Sequence, residues 1–420
     1  MKRLLPVLLF PAVASAGEWL PETTTQLGLE YREFFQQAVS DDQAERSASV
    51  WLEPEMVWEW GAAQRLTFRP FYRYDSADEE RTHGDIRELL WQTWGTSWEV
   101  RAGVGKVFWG VTESLHLVDV INQTDQVEAP DGEDKLGQPM IHAIWLNDAG
   151  TLEGFVLPGF RERTFAGEEG RLSLPLAIDD EALYQSDDEQ SHVDLALRWS
   201  RSYEVAGWPL DASLSLFKGT SRDPFLLPQV ALVAGEPAVV GLQAYYPQLQ
   251  QAGMTLQSTV DSWLWKVEAV HRDYEREAQQ ALVAAGNDSG DDHWAAVAGF
   301  EYTLTGPFYD CCELPLDLGL ILEYQYDERG KQASNAQNDV FIGTRWAFND
   351  MDSSELLAGL VQDMTYGGSR ALKVEASTRV TAQSVVNLNV WLFTADDEDD
   401  ALAWSLRQED YAELSWTLYF

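Results

Sequence analysis

The chain has 420 residues with 69 acidic against 29 basic side chains, a formal charge of -40 at pH 7, which argues against nucleic acid as a partner. A mean hydropathy of -0.28 and the lack of a long uncharged apolar run exclude a bundle of membrane helices. Two cysteines only, adjacent at Cys311 and Cys312, exclude a disulfide scaffold, since neighbours in sequence cannot join distant strands.

At the start of the chain, Lys2 and Arg3 precede an apolar stretch from Leu4 to Val13, and Ala14-Ser15-Ala16 places small residues before Gly17. This is the layout of a secretory signal peptide over residues 1–16. The alternative, an anchor helix, lacks the roughly 20 apolar residues that a bilayer span needs. Residues 17–420 are then expected to form one domain.

From Thr24 onward, apolar and polar residues alternate in about eighteen segments. Leu27, Leu29 and Tyr31 alternate with Gln26, Glu30 and Arg32. Leu66, Phe68, Tyr72 and Tyr74 alternate with Arg65, Thr67, Arg69, Phe71 and Arg73. An arginine facing lipid at the midplane costs about 2–4 kcal/mol, so the side with three arginines must face a lumen. Pro54 and Pro70 fall inside such segments and predict bulges or breaks, because each removes a ladder donor. The segments 86–94 and 139–158 alternate more weakly. Later, Leu318, Leu320, Leu322, Tyr324 and Tyr326 alternate with Asp317, Glu323 and Gln325, and Leu372, Val374 and Ala376 with Lys373, Glu375 and Ser377.

Short turns near 61–63, 95–97, 147–150, 261–262, 349–350 and 382–383 alternate with longer polar connections near 36–45, 75–85, 110–138, 159–190, 219–252, 275–292, 329–338 and 395–408. This rhythm predicts an all-β transmembrane antiparallel β-barrel with both termini in the periplasm. Eighteen strands fit best. Sixteen is the alternative, because segment 236–260 divides in two ways. The 18 Trp, 15 Tyr and 17 Phe supply interfacial aromatic belts.

The chain ends on Leu414, Trp416, Leu418 and Phe420 along one strand face, with Glu413, Ser415 and Thr417 on the other. This ending resembles the closing strand of Gram-negative outer-membrane barrels, which implies the barrel-assembly machinery, outer-membrane lipid and lipopolysaccharide as partners. Strand alternation begins too early for the plug of a TonB-dependent transporter, and there is no autotransporter passenger. A homotrimer stays open, because a subunit interface and a lipid-facing wall look alike in one sequence. The acidic runs, such as Asp396 to Asp400, suit a solvated surface or, alternatively, divalent-cation bridges to lipopolysaccharide.

The connection at 110–138 carries Leu115, Leu117, Val118, Val120 and Ile121 and is expected to fold inward. Residues Gly105 to Asp125 resemble a segment of proteobacterial porin-like proteins, with a Trp-Gly-x-x-Glu-type strand end leading into an Asn-x-x-Asp loop. That resemblance implies an outer-membrane transport role. Asp119, Asp125 and Glu128 on this loop are the candidate constriction, facing lumen arginines Arg65, Arg69, Arg73, Arg87 and Arg101; opposed rows of charge would orient polar solutes. The alternative is internal pairing of the arginines with Glu30, Glu53, Glu55 and Glu99.

No enzyme is expected. Asp291-Asp292-His293 and Asp397-x-Asp399 have omptin-like spacings but the wrong order, and His116 beside Glu113 and Asp119 suits ordinary hydrogen bonds better than a metal. No cofactor is implied. The expected function is a porin-like channel for small hydrophilic or amphipathic solutes; the alternatives are a non-transporting surface barrel that acts as a receptor or structural protein and, behind it, a barrel hydrolase.

Overall fold

Each alternating segment pairs with its neighbour until the wall meets itself. The computed structural model describes residues 20–38, 40–287, 290–333 and 336–420, and the expected signal peptide lies outside the described residues. The first strands are β1 (Glu22–Phe34), β2 (Arg46–Trp60), β3 (Gln64–Asp75), β4 (Gly84–Trp94), β5 (Trp98–Gly105), β6 (Gln138–Asn147) and β7 (Gly150–Pro158). After them come β8 (Leu183–Tyr184), β9 (Val193–Val205), β10 (Trp208–Thr220), β11 (Phe225–Val233), β12 (Glu236–Tyr246), β13 (Gln248–Val260) and β14 (Trp263–Tyr274). The last are β15 (His293–Thr305), β16 (Asp317–Asp327), β17 (Asn338–Ala347), β18 (Glu355–Asp363), β19 (Arg370–Thr381), β20 (Ser384–Thr394) and β21 (Tyr411–Tyr419). Short helices α1 (Arg276–Ala284), α2 (Tyr309–Cys312) and α3 (Ala401–Leu406) lie in connections, and no described helix is long and apolar enough to cross a membrane.

Eighteen strands form one antiparallel sheet, closed where β21 pairs with β1 through Leu29↔Trp416 and Tyr31↔Leu414. Closure leaves no unpaired edge, which a strand protein in hydrocarbon requires. The remaining three strands, β8, β11 and β12, form a separate small sheet. The ambiguous segment therefore divides at Pro247: β12 leaves the wall and β13 pairs with β10 in it. Eighteen is the strand count, not sixteen.

Outward positions such as Leu29, Tyr31, Tyr72, Tyr74 and Trp416 are exposed around the wall, whereas Glu30, Arg32 and Arg73 are buried inside. The β2–β3 ladder runs Leu52↔Tyr72 and resumes at Met56↔Phe68, so pairing lapses around Pro54 and Pro70. On its other side β3 shifts register between Arg69↔Glu88 and Pro70↔Ile86, leaving Arg87 as the extra residue of a bulge. Such a bulge re-aims a side chain, and it turns Arg87 and Glu88 toward the same side. This explains why residues 86–94 alternate weakly in the sequence.

Short turns and both described chain ends lie at one end of the barrel, and the long connections at the other. The exposed thiols Cys311 and Cys312 sit in α2 at the short-turn end, with their Sγ atoms 2.7 Å apart. The main apolar cluster joins loop residues Trp109, Leu117, Val118, Val120 and Ile121 to inward residues of the wall, among them Met140, Phe155, Phe217 and Val270. A bore otherwise lined by polar groups thus holds its core along one side of the loop.

Candidate functional site: a loop staked across the bore

The connection 106–137 between β5 and β6 is held at both sides of the barrel. On one side two inward glutamates from β14 and β16 serve as stakes. Glu268 is fully buried; its Oε1 accepts from the Val111 amide at 2.7 Å, the Thr112 amide at 3.1 Å and the Thr112 hydroxyl at 2.8 Å. Its Oε2 accepts from the Val118 amide at 3.3 Å. Glu323 accepts from the Glu113 amide at 2.8 Å and from the Ser114 amide and hydroxyl at 2.9 and 2.6 Å. Charged acceptors make the stronger hydrogen bonds, and here they satisfy loop amides that have no ladder partner.

On the opposite side the loop carries acids and the wall carries arginines. Asp125 Oδ2 lies 2.8 Å from Arg87, and Glu128 Oε2 lies 2.6 Å from Arg73. Arg32 donates to the Glu128 carbonyl at 2.7 Å. Arg73 and Arg81 also share Glu30, at 2.9 and 2.6 Å, so three buried guanidiniums meet a small set of buried carboxylates. From a third direction, Lys373 on β19 reaches Asp131 at 2.7 Å. With Arg345 on β17 lying 2.8 Å from Glu113, the loop makes polar contacts all around the wall, among them to β1, β3, β4, β14, β16, β17 and β19.

The other candidates sit apart from this contact. Arg69 pairs with Glu53, Arg101 with Glu99 at 2.6 Å, and Arg65 approaches Glu59 at 3.7 Å. None of these three meets the loop acids. Asp119 is paired within its own loop, with the Trp109 amide at 3.1 Å and Lys135 at 3.4 Å. Fixed ion pairs and loop-to-wall charge contacts thus coexist, divided by position along the bore.

Charge states of the loop groups follow their surroundings. Burial raises the Asp125 carboxyl, but the His83 hydrogen bond and the Arg87 charge prevail and hold it well below the usual carboxylate range. His83 is opposed by burial, yet its bond to Asp125 and the charges of Asp125 and Glu128 lift it above an ordinary histidine. His116 is likewise disfavoured by burial but is raised to about 10 by Glu133 and Glu268; it lies 3.1 Å from Glu133. Burial, with Glu128 adding repulsion, pushes Asp134 up to about 6.

His83, Asp125 and Glu128 present ligand atoms within 4.8 Å of one another. Arg87 and Arg73 already occupy those carboxylates, and their positive charge opposes a metal there. His293 is buried at the start of β15 and bonds the Asp291 carbonyl at 2.9 Å. Asp397 and Asp399 lie on the β20–β21 connection, which does not adjoin β15, so the two omptin-like spacings do not converge.

Beyond the loop, at the long-connection end, opens a cavity of about 1030 Å³ lined by Lys135, Arg163, Asp223, Phe225, Tyr246 and Arg272 among others. A second space of about 320 Å³ is bordered by Arg345, Glu375, Asn387, Asn389 and Ser415 on the inner faces of β17 to β21. Sequence reasoning did not single out Glu268, Arg32 or Arg81. The available signal was an acid or arginine at a lumen-parity position within a strand or beside one, but parity names no partner.

Solved structures share this architecture. OccD3 (OpdP) of Pseudomonas aeruginosa matches with a TM-score of 0.50 at 10% identity, covering 96% of this chain and 92% of that one. Wzi of Escherichia coli, an outer-membrane protein involved in group 1 capsule assembly and a carbohydrate-binding β-barrel, matches with a TM-score of 0.51 at 8% identity, covering 95% and 84%. The chain has the fold of an outer-membrane β-barrel. At such identities the likeness of this barrel to either protein is one of fold alone. No protein-family model matches the sequence, and no curated protein does.

Proposed function

We propose that this chain is a porin-like channel of the outer membrane that passively admits small hydrophilic or amphipathic solutes. In this reading the loop 106–137 narrows the bore where Arg73 and Arg87 meet Glu128 and Asp125, and Arg65, Arg69 and Arg101 line the polar path away from that contact, with Asp119 held inside the loop. The short-turn end with both termini faces the periplasm, and the long connections face the lipopolysaccharide leaflet. The barrel-assembly machinery reads the aromatic carboxy-terminal strand, and the wall is free to form a trimer. The observation that carries the reading is a loop fixed to opposite walls of an eighteen-stranded barrel, a wall wide enough to enclose an aqueous path. No step of bond making is required of it.

One observation favours a second reading. The loop touches wall strands all around the bore, which suits a barrel that retains solutes in its 1030 Å³ mouth and acts as a surface receptor. Single-channel recording of the folded protein in a planar bilayer, with reversal potential under a salt gradient, separates the two. Stable steps with defined ion selectivity support the channel; a correctly inserted but silent barrel selects the receptor.

A further inference from the structure

Away from the loop, the rim formed by β17, β18 and the start of β19 carries a row of buried oxygens. The register sets Asp339 directly opposite Asp363, and the Asp363 amide donates to the Ser369 carbonyl at 3.2 Å, one step beyond the Gln362↔Arg370 pair. Three inward positions on adjacent strands, about 4.8 Å apart, thus hold two carboxylates and a hydroxyl. They are 5%, 8% and 2% exposed for Asp339, Asp363 and Ser369.

Their hydrogen bonding is incomplete in a specific way. Asp363 accepts from the Thr365 and Tyr366 amides at 2.6 and 2.8 Å and from Gln337 Nε2 at 2.7 Å, three donors that favour its ionised form. Among the described residues, Asp339 Oδ1 and Ser369 Oγ are buried with no hydrogen-bond partner. A buried oxygen facing an ionised carboxylate is compensated by a shared proton or by a cation. The nearby cations serve elsewhere: Arg329 lies 2.7 Å from Asp327, and Lys331 sits over the Tyr366 ring at 4.4 Å.

We propose that Asp339, Asp363 and the Ser369 hydroxyl bind one divalent cation, Ca²⁺ in preference to Mg²⁺, and thereby tie β17 to β19 at the long-connection rim. The donors are all oxygen, which disfavours zinc. Their spacing is set by strand register and not by a coordination polyhedron, which the flexible shell of Ca²⁺ tolerates and the near-ideal octahedron of Mg²⁺ does not. Water and nearby backbone carbonyls complete the shell. The acidic run above is not itself the site, although it adjoins it: the Tyr366 hydroxyl donates to the Asp399 carbonyl at 3.5 Å.

The test is equilibrium dialysis of ⁴⁵Ca²⁺ against the mature protein folded in detergent and stripped with EDTA, with thermal unfolding followed in parallel. One saturable site per chain is expected, with a dissociation constant on the order of 10⁻⁴–10⁻³ M, as for extracellular Ca²⁺ modules. Asp339→Asn and Asp363→Asn should each weaken it about tenfold or more, Ser369→Ala by less, and Glu398→Gln not at all. Asp339→Asn should also unfold in EDTA at a higher temperature than the wild type, because the facing negative charge is removed. Absence of saturable binding by about 10 mM, or binding by the two Asp→Asn variants as tight as that of the wild type, would overturn the proposal.

Discussion

Arg87 Nη2 lies 2.8 Å from Asp125 Oδ2, with the two side chains 3% and 0% exposed, and the contact exists because a one-residue bulge beside Pro70 turns Arg87 inward. Arg87→Ala leaves Asp125 and Asp85 buried with less compensation, so we expect a loss of about 3–5 kcal/mol, the range for breaking a buried pair. Arg65→Ala should cost no more than about 1 kcal/mol, because its side chain is 41% exposed and its partner Glu59 is 3.7 Å away. Urea midpoints of the two variants folded in detergent make the comparison, and equal midpoints would refute the assigned anchoring role.

Glu268 and Glu323 hold the opposite side of the loop chiefly by accepting from its backbone amides, with the Thr112 and Ser114 hydroxyls and nearby His116 adding to them. Each Glu→Ala change strands buried donors at about 1–3 kcal/mol apiece. The double variant should expose residues 106–118 to limited proteolysis and, if the barrel conducts, enlarge current fluctuations. Protection equal to that of the wild type would show that the apolar cluster alone fixes the loop.

His83 links the loop to the rim, 3.2 Å from Asp125, and its folded pKa is raised above the unfolded value of 6.5. The stabilisation from this contact is therefore fully present below about 6.5 and is lost as pH rises through the higher folded value. The unfolding midpoint of the wild type should fall across that interval, and His83→Gln should fall less steeply there, keeping only the slope of other raised groups such as His116. Parallel profiles would assign the slope to another group.

Where the loop rejoins the wall, a Cβ on Gly137 would lie 2.1 Å from the Ile86 carbonyl oxygen, beside the Arg87 bulge. Gly137→Ala must displace backbone and is expected to lower stability by about 1–3 kcal/mol, as overpacking does. Gly154→Ala meets nothing within 4 Å and should fold like the wild type, which makes it the control in gel-shift assays of heat-resistant folding.

Triple replacement of Arg65, Arg69 and Arg101 by alanine spares the buried anchors Arg73 and Arg87. If these side chains line the ion path, the reversal potential under a salt gradient should move toward cation selectivity. An unmoved potential in a conducting variant would remove them from the path.

Much of the wall was legible before any coordinates, because strand periodicity is local. The three arginines of β3 chose the inner face by the cost of exposing them to lipid, and Pro54 and Pro70 marked the lapses in its ladders. Weak alternation in β4 was less informative than it looked: the bulge inverts parity within the segment, and its presence depends on the neighbouring strand. The apolar residues of 110–138 distinguished that connection from the acidic ones, but not the stakes that it meets.

The sequence by itself narrowed the wall to sixteen or eighteen strands and determined their inward and outward faces and the division of turns into a short and a long end, since each follows from period-two patterning and local turn chemistry; the departure of β12 from the wall, which fixes eighteen, is a tertiary decision. Tertiary structure alone decided that Glu268 and Glu323 would cap loop amides, that Arg73 and Arg87 rather than Arg65 would meet Glu128 and Asp125, and that Asp339 would face Asp363. These pairings join residues that only barrel closure and strand register bring together, and no local pattern encodes a distance across the bore.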